Sequence, residues 1–224
     1  MDNILEVSNL KVEFSMQNHT IYAVNDISYN LATGEILGVV GESGSGKSVS
    51  AMSILRLISI PPGKIKNGKI LFNNKNLLTI PIEELRNIRG NDISMIYQDP
   101  MTTFNPVLKI GKQLSESLII HKGWDSIKAR NEVIDLLNLV GIPNAEKRID
   151  DYPYQFSGGM RQRALIAMAL TCQPEILIAD EPTTALDVTI QAQIINLIQK
   201  LKKQYNMSII WISHDLGVIA GLAD

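Results

Sequence analysis

The chain lacks most of what staples or tethers a small fold. Cys172 is its single cysteine. That excludes an intrachain disulfide or a cysteine-built metal cluster, and it fits a reducing, cytosolic compartment. An excess of one charge is missing too: 21 basic and 23 acidic residues leave a formal net charge of −2. A domain that lives on nucleic acid is usually basic, so neither DNA nor RNA is expected as partner. Long apolar runs are absent. None approaches the roughly 18–20 residues that span a bilayer, so membrane association is expected to go through another protein. No basic residue precedes Lys11, which is unlike a secretory leader. What is present is ordinary: 224 residues, 45% hydrophobic and 20% charged, enough for one sizeable core.

Short apolar runs alternate with helical patterns. Residues 36–40 (ILGVV), 93–97 (ISMIY), 176–179 (ILIA) and 208–212 (SIIWI) read as strands buried on both faces. A glycine-rich turn and a helix over 47–57 follow the first run. From Ile190 onward, Ile190, Ile194, Leu197, Ile198 and Leu201 recur at helical spacing. This alternation predicts an α/β fold with a mainly parallel sheet. Residues 100–154 carry amphipathic helical patterns near 110–120 and 126–140, with Gly141 as a stop. They read as a helical insertion. The first thirty residues alternate more like antiparallel strands.

The chemistry starts at residues 41–48, GESGSGKS, which match G-x-x-x-x-G-K-[ST] between a strand and a helix. Glycines let backbone N–H groups turn inward around phosphate oxygens, and the helix start adds partial positive charge. Gly41, Glu42, Ser43, Gly44, Ser45 and Gly46 form that loop; Lys47 is expected on the β- and γ-phosphates and Ser48 on Mg²⁺. The run ILIADEP delivers Asp180 and Glu181 at a strand's carboxyl end, where open α/β sheets place ligands. Asp180 is the expected Mg²⁺ partner, and Glu181 the expected base or orienter of the attacking water. In FSGGMRQR, Ser157 is suited to cap a helix whose first N–H groups Gly158 and Gly159 expose. A second anion-binding helix start in one chain suggests contact with a nucleotide held by another chain.

Together these pieces, with Ile212–Ser213–His214–Asp215, resemble the ATPase domains of ABC proteins. The resemblance implies a P-loop NTPase (RecA-like) core with an N-terminal antiparallel β subdomain and an inserted helical subdomain. The expected divisions are 1–99, 100–170 and 171–224. It implies that FSGGM, ending in Met160 where LSGGQ is usual, is the signature motif. Gln98 matches the glutamine that approaches Mg²⁺ and the attacking water. Residues 184–187 (TALD) match the loop that carries Asp187 across a dimer interface. His214 matches the histidine that contacts the γ-phosphate. An aromatic residue is expected on the adenine, Phe14 first and Tyr22 second.

Longer stretches, among them QDPMTTFNPVLKIGKQL and DEPTTALDVTIQAQIINLI, resemble the oligopeptide/dipeptide importer ATPases, and Met160 the first of their paired subunits. ATPases of nickel or other small-solute importers share much of this pattern. Non-transport ABC ATPases are a more distant alternative, since no sustained heptads or second cassette appear. Members of the family continue past the equivalent of Asp224, so the chain resembles a member truncated at its C-terminus. The resemblance implies ATP and Mg²⁺ as ligands. It implies a nucleotide-sandwich dimer with a paralogue or a second copy. It also implies two transmembrane permease subunits docking around residues 101–107, and an extracytoplasmic substrate-binding protein. The implied location is peripheral, on the cytoplasmic face of the cell membrane.

Overall fold

A computed structural model describes residues 2–17, 19–99, 103–184 and 187–223. The chain forms two compact units, one of residues 1–89 with 207–224 and one of residues 90–206.

In the first unit, strands β1 (Asn3–Ser15) and β2 (Thr20–Ala32) pair antiparallel. Strand β3 (Ile36–Val40) leads into the phosphate loop and the helix Lys47–Ile54. β4 (Gly63–Phe72) returns antiparallel to β1, and β5 (Lys75–Asn76) completes an antiparallel sheet of order β2-β1-β4-β5. Leu5, Val7, Leu10, Val12, Leu31, Ile70 and Phe72 turn one face of this sheet into core. Sequence patterning did not mark β4. Its GKIKNGKILF run spreads lysines, glycines and an asparagine through the strand, and only its ends are buried. A short helix, Ile82–Ile88, follows.

The helix expected over 47–57 ends earlier, at Ile54. Arg56 takes a left-handed backbone, φ 50°, and Arg56 and Leu57 donate their N–H groups back to the carbonyls of Ser53 and Met52. This is the Schellman closure, with arginine where glycine is usual. The Arg89 guanidinium donates to the Leu55 and Arg56 carbonyls at 2.6–3.0 Å, so the helix end is satisfied by a residue more than thirty positions away.

In the second unit, β6 (Ile93–Ile96) and β7 (Ile176–Asp180) pair parallel, with Ile96 opposite Ala179. Between them lie helices Ile110–Lys122, Ser126–Leu139, Ala145–Arg148 and Gly158–Leu170. The insertion is helical, as the patterns predict. Asp125 caps the second helix by accepting from Ile127 and Lys128 N–H, and Gly141, φ 79°, terminates it. Helix Gly158–Leu170 packs against β6 and the first two of these helices. Its alanines at 164, 167 and 169 are buried and let the backbones approach closely. Helix Val188–Tyr205 ends at Asn206, φ 49°. Cys172 is buried, and burial pushes its thiol above the ordinary value, which suits a packing role.

One carboxylate in this unit sits unfavourably. Burial first, and then the charge of Glu175, hold Asp92 above its usual carboxylate range, against the opposing pull of Lys122, the Asn91 bond and His121. A raised folded-state value means that charging Asp92 weakens the fold at pH 7, and that the penalty disappears as pH falls into the carboxylate range. Asp92→Asn retains an acceptor for Asn91 and removes the charge. It is expected to melt slightly higher than the parent at pH 7, with the gap closing near pH 4. Melting curves at the two pH values check this.

The chain then returns to the first unit. Strand β8 (Ser208–Ser213) pairs parallel with β3, with Gly38 opposite Trp211 and Val40 opposite Ser213. The terminal helix Leu216–Ala220 packs on β3. A Cβ at Gly38 would lie 2.5 Å from Ile219 Cγ2, so glycine is required there. All four parallel strands match the apolar runs read from the sequence.

Candidate nucleotide site

The phosphate loop runs from the end of β3 to the start of helix Lys47–Ile54. Gly46 caps that helix with φ 91°, where an L side chain is strained. A Cβ there would lie 2.0 Å from the Ala23 carbonyl oxygen of β2. Gly44, φ 80°, has nothing within 4 Å of a Cβ position, so its glycine serves backbone conformation and an open approach. The first helical turn carries no acidic residue, so its partial positive charge is left for an anion. Lys47 Nζ donates to the Gly41 carbonyl at 2.6 Å, the Glu42 carbonyl at 2.7 Å and Ser45 Oγ at 3.4 Å. The ammonium is thus held over the loop by carbonyl oxygens that a phosphate would replace as partners.

Beside the loop lies a cavity of about 480 Å³ lined by residues of β2, β3, the loop and the helix that follows it, among them Tyr29, Gly41, Gly46, Lys47 and Ser50. Tyr29 Oη and Ser50 Oγ share a hydrogen bond of 3.2 Å. Burial pushes the Tyr29 phenol above its ordinary value, the Ser50 bond pulling the other way, so the phenol stays protonated and links β2 to the helix.

His214 is placed by the same strand pair. Because β3 and β8 are parallel and Val40 lies opposite Ser213, Gly41 and His214 leave adjacent strand ends on the same side. Asp215 Oδ1 accepts from Gly217 and Val218 N–H, which starts the terminal helix at once and keeps the His214 turn short. His214 is exposed.

The second unit repeats this arrangement with carboxylates. All five residues of β7 are buried, Asp180 at 5% exposure. Gln98 and Glu181 each lie two positions beyond the paired residues Ile96 and Ala179. Gln98 Nε2 donates to Glu181 Oε2 at 3.1 Å, and Thr184 Oγ1 donates to the same oxygen at 2.8 Å. Glu181 has φ 48°, a left-handed backbone that costs a non-glycine residue of order 1 kcal/mol and clusters at functional positions. No group of three or more His, Cys, Asp or Glu suited to a metal occurs among the described residues.

Two helix starts stand close together in this unit. Ser157 Oγ accepts from Met160 N–H at 3.3 Å, and Asp187 Oδ1 accepts from Ile190 N–H at 2.9 Å. A Cβ on Gly159 would meet Ile190 Cγ2 at 3.3 Å, so the two helices touch near their N-termini. Ser157 and Gly158 are exposed, and no acid lies in the first turn of the Gly158–Leu170 helix. Asp187 therefore works locally as a cap. Ala185 and Leu186, the middle of the predicted TALD loop, lie outside the described residues.

The two adenine-stacking candidates differ in exposure. Phe14, opposite Ile21 in the β1–β2 ladder, is half-buried, and its ring edge is 3.0 Å from a Cβ position on Gly63. Tyr22, opposite Glu13, is 69% exposed and has the more accessible ring. Sequence reasoning missed the Thr184 bond, the Gly46–Ala23 approach and the left-handed Glu181. The three-residue step from Glu181 to Thr184 was a usable signal for the first. The others depend on contacts that no local pattern encodes.

A strand, glycine loop and helix with inward lysine, together with a buried strand ending in Asp-Glu, define a P-loop nucleotide-binding protein. The chain belongs to the ABC transporter family, whose model matches residues 24–184. It is 53% identical over 224 residues to the dipeptide transport ATP-binding protein DppD of Bacillus subtilis (strain 168), covering 100% of this chain and 67% of that protein. To the oligopeptide transport ATP-binding protein OppD of the same organism it is 51% identical, covering 99% of this chain and 62% of that one. It spans about two thirds of the length of these relatives. Among solved structures, the dimeric ATP-binding cassette MJ0796 bound to ADP and Pi superposes with a TM-score of 0.84 at 27% identity, covering 96% of this chain and 89% of that one.

Proposed function

We propose that this chain is the subunit that binds and hydrolyses Mg·ATP to energise peptide import by an ABC transporter. The observation that carries the ATPase reading is the phosphate loop with Lys47 held on the Gly41 and Glu42 carbonyls. The peptide cargo rests on the likeness to relatives named for dipeptide and oligopeptide transport. No helix of the described residues is long and apolar enough to cross a membrane, which suits a subunit held at the cytoplasmic face by two permease subunits. A separate extracytoplasmic protein would deliver the substrate.

In this reading, backbone N–H groups of residues 41–48 cradle the phosphates, and Lys47 neutralises charge on the β- and γ-phosphoryl oxygens. Phe14 or Tyr22 stacks on the adenine. Ser48, Asp180 and Gln98 would hold Mg²⁺, which when bound would offset the negative charge that develops on the phosphoryl oxygens. A site with one buried carboxylate and a hydroxyl suits Mg²⁺, which keeps waters and takes its remaining ligands from phosphate. Glu181 accepts a proton from the attacking water as its oxygen bonds to the γ-phosphorus. The bond to the β-phosphate bridging oxygen breaks, and ADP leaves with the electron pair. His214 donates to the γ-phosphoryl group.

The helix start at Ser157, Gly158, Gly159 and Met160, exposed at its first two residues, suits a phosphate held by another chain, a paralogue or a second copy, with Asp187 nearby at the shared interface. The relative solved with ADP and Pi is dimeric, which supports this arrangement. Nucleotide bridging two chains links binding to closure, and hydrolysis releases it. The permease-docking segment at 101–107 falls partly on Met101 and Thr102, which lie outside the described residues. Val107, at its other end, is 75% exposed, as a docking residue needs.

Mg²⁺-dependent ATP hydrolysis measured across protein concentration tests the reading. A rate that rises faster than linearly with concentration is expected from a site completed by a second chain. No nucleotide binding at all would exclude the proposal.

A further inference from the structure

We propose that Thr184 is a positioning residue that aims the Glu181 carboxylate for hydrolysis. This rests on the reading of Glu181 as the group that takes the proton from water.

Two bonds close a turn between these residues. The Thr184 N–H donates to the Glu181 carbonyl at 3.1 Å, and the Thr184 hydroxyl donates to Glu181 Oε2 at 2.8 Å. The turn between them is anchored, because Pro182 and Thr183 are buried. The left-handed φ of Glu181 breaks the alternation by which β7 would otherwise set its direction. A glutamate side chain has several rotatable bonds, and ordering it is opposed by entropy. Something other than the strand must therefore fix the carboxylate. Gln98 contributes a donor to the same oxygen, but from a separate segment after β6. In the proposed mechanism Gln98 also has to serve Mg²⁺. Thr184 belongs to the same closed turn as Glu181, so its bond persists when Gln98 is engaged elsewhere. A donor to one carboxylate oxygen also orients the plane of the group, which decides where the other oxygen meets water.

The test compares Thr184→Val, which keeps the β-branched shape without the hydroxyl, with Thr184→Ser, which keeps the hydroxyl. ATP hydrolysis is measured on the chain in its native transporter complex. Thr184→Val is expected to lower kcat about tenfold, the scale of one hydrogen bond to a charged group, with KM for ATP changed by less than about twofold. Thr184→Ser is expected within about twofold of the parent. In a Glu181→Gln background, Thr184→Val should add nothing, because the two residues act as one unit. Unchanged kcat in Thr184→Val overturns the proposal. So does an equal fall in both variants, a rise in KM alone, or a full further loss in the Glu181→Gln background. If Glu181→Gln itself turns over normally, or no Glu181-dependent turnover exists, the reading of Glu181 fails and this one with it. If Glu181→Gln is inactive while Thr184→Val is not, only the Thr184 assignment fails.

Discussion

Glu181→Gln is expected to bind ATP as the parent does and to lose hydrolysis by roughly 100-fold or more, the range that a positioned general base contributes. The substitution is nearly isosteric. The amide oxygen still accepts from Thr184 Oγ1, which lies 2.8 Å from Glu181 Oε2, so the turn should survive and the melting midpoint should hold. The left-handed backbone at φ 48° is no harder for glutamine than for glutamate. What disappears is the proton acceptor. Equilibrium binding of a fluorescent ATP analogue, with steady-state and single-turnover hydrolysis, separates the two effects. Turnover close to the parent's would remove Glu181 as the base and shift attention to His214, the exposed residue at the end of β8. Weakened binding with unchanged turnover per bound nucleotide would make Glu181 a ligand contact.

Lys47→Ala is the second large effect. An ammonium placed on phosphate oxygens makes charge-assisted bonds, and losing them is expected to weaken ATP binding by about 10- to 100-fold. Part of this loss comes from the loop itself. Lys47 Nζ bonds the Gly41 and Glu42 carbonyls at 2.6 and 2.7 Å, so its removal also loosens the backbone that must present its N–H groups. Titration calorimetry with ATP measures the fall. A melting curve of the nucleotide-free variant shows how much of it comes from loop order. An unchanged affinity would contradict the phosphate-loop assignment, because no other lysine lies within the loop at 41–48. The contrast between the two variants is informative. Lys47→Ala should fail at binding, while Glu181→Gln should fail after it.

The local signals were strong where chemistry demands contiguous residues. A phosphate loop must be one unbroken strand–turn–helix, so GESGSGKS was legible from its letters alone. The four buried parallel strands were legible for a related reason: burial on both faces leaves a continuous apolar run with no alternation to confuse. β3, β6, β7 and β8 all fall on such runs. The Ser157 cap and the Gly141 stop were legible because helix ends impose specific residues on themselves.

Other features were decided by contacts between segments far apart in the chain. β4 is made a strand by its pairing with β1, although its lysines and glycines argue against one. The first core helix stops at Ile54 because Arg56 turns left-handed and Arg89 supplies donors to its last carbonyls. Gly46 is required by the Ala23 carbonyl of another strand as much as by its own turn. The letters alone therefore singled out the residues proposed to carry the chemistry, since each motif is local and its residue types follow from phosphate and proton chemistry. Tertiary structure decided how each is held: Gln98 and Thr184 on one oxygen of Glu181, and His214 on the strand next to the loop. Those arrangements rest on register between strands and on backbone angles, which depend on long-range pairing and leave no periodic trace in the letters.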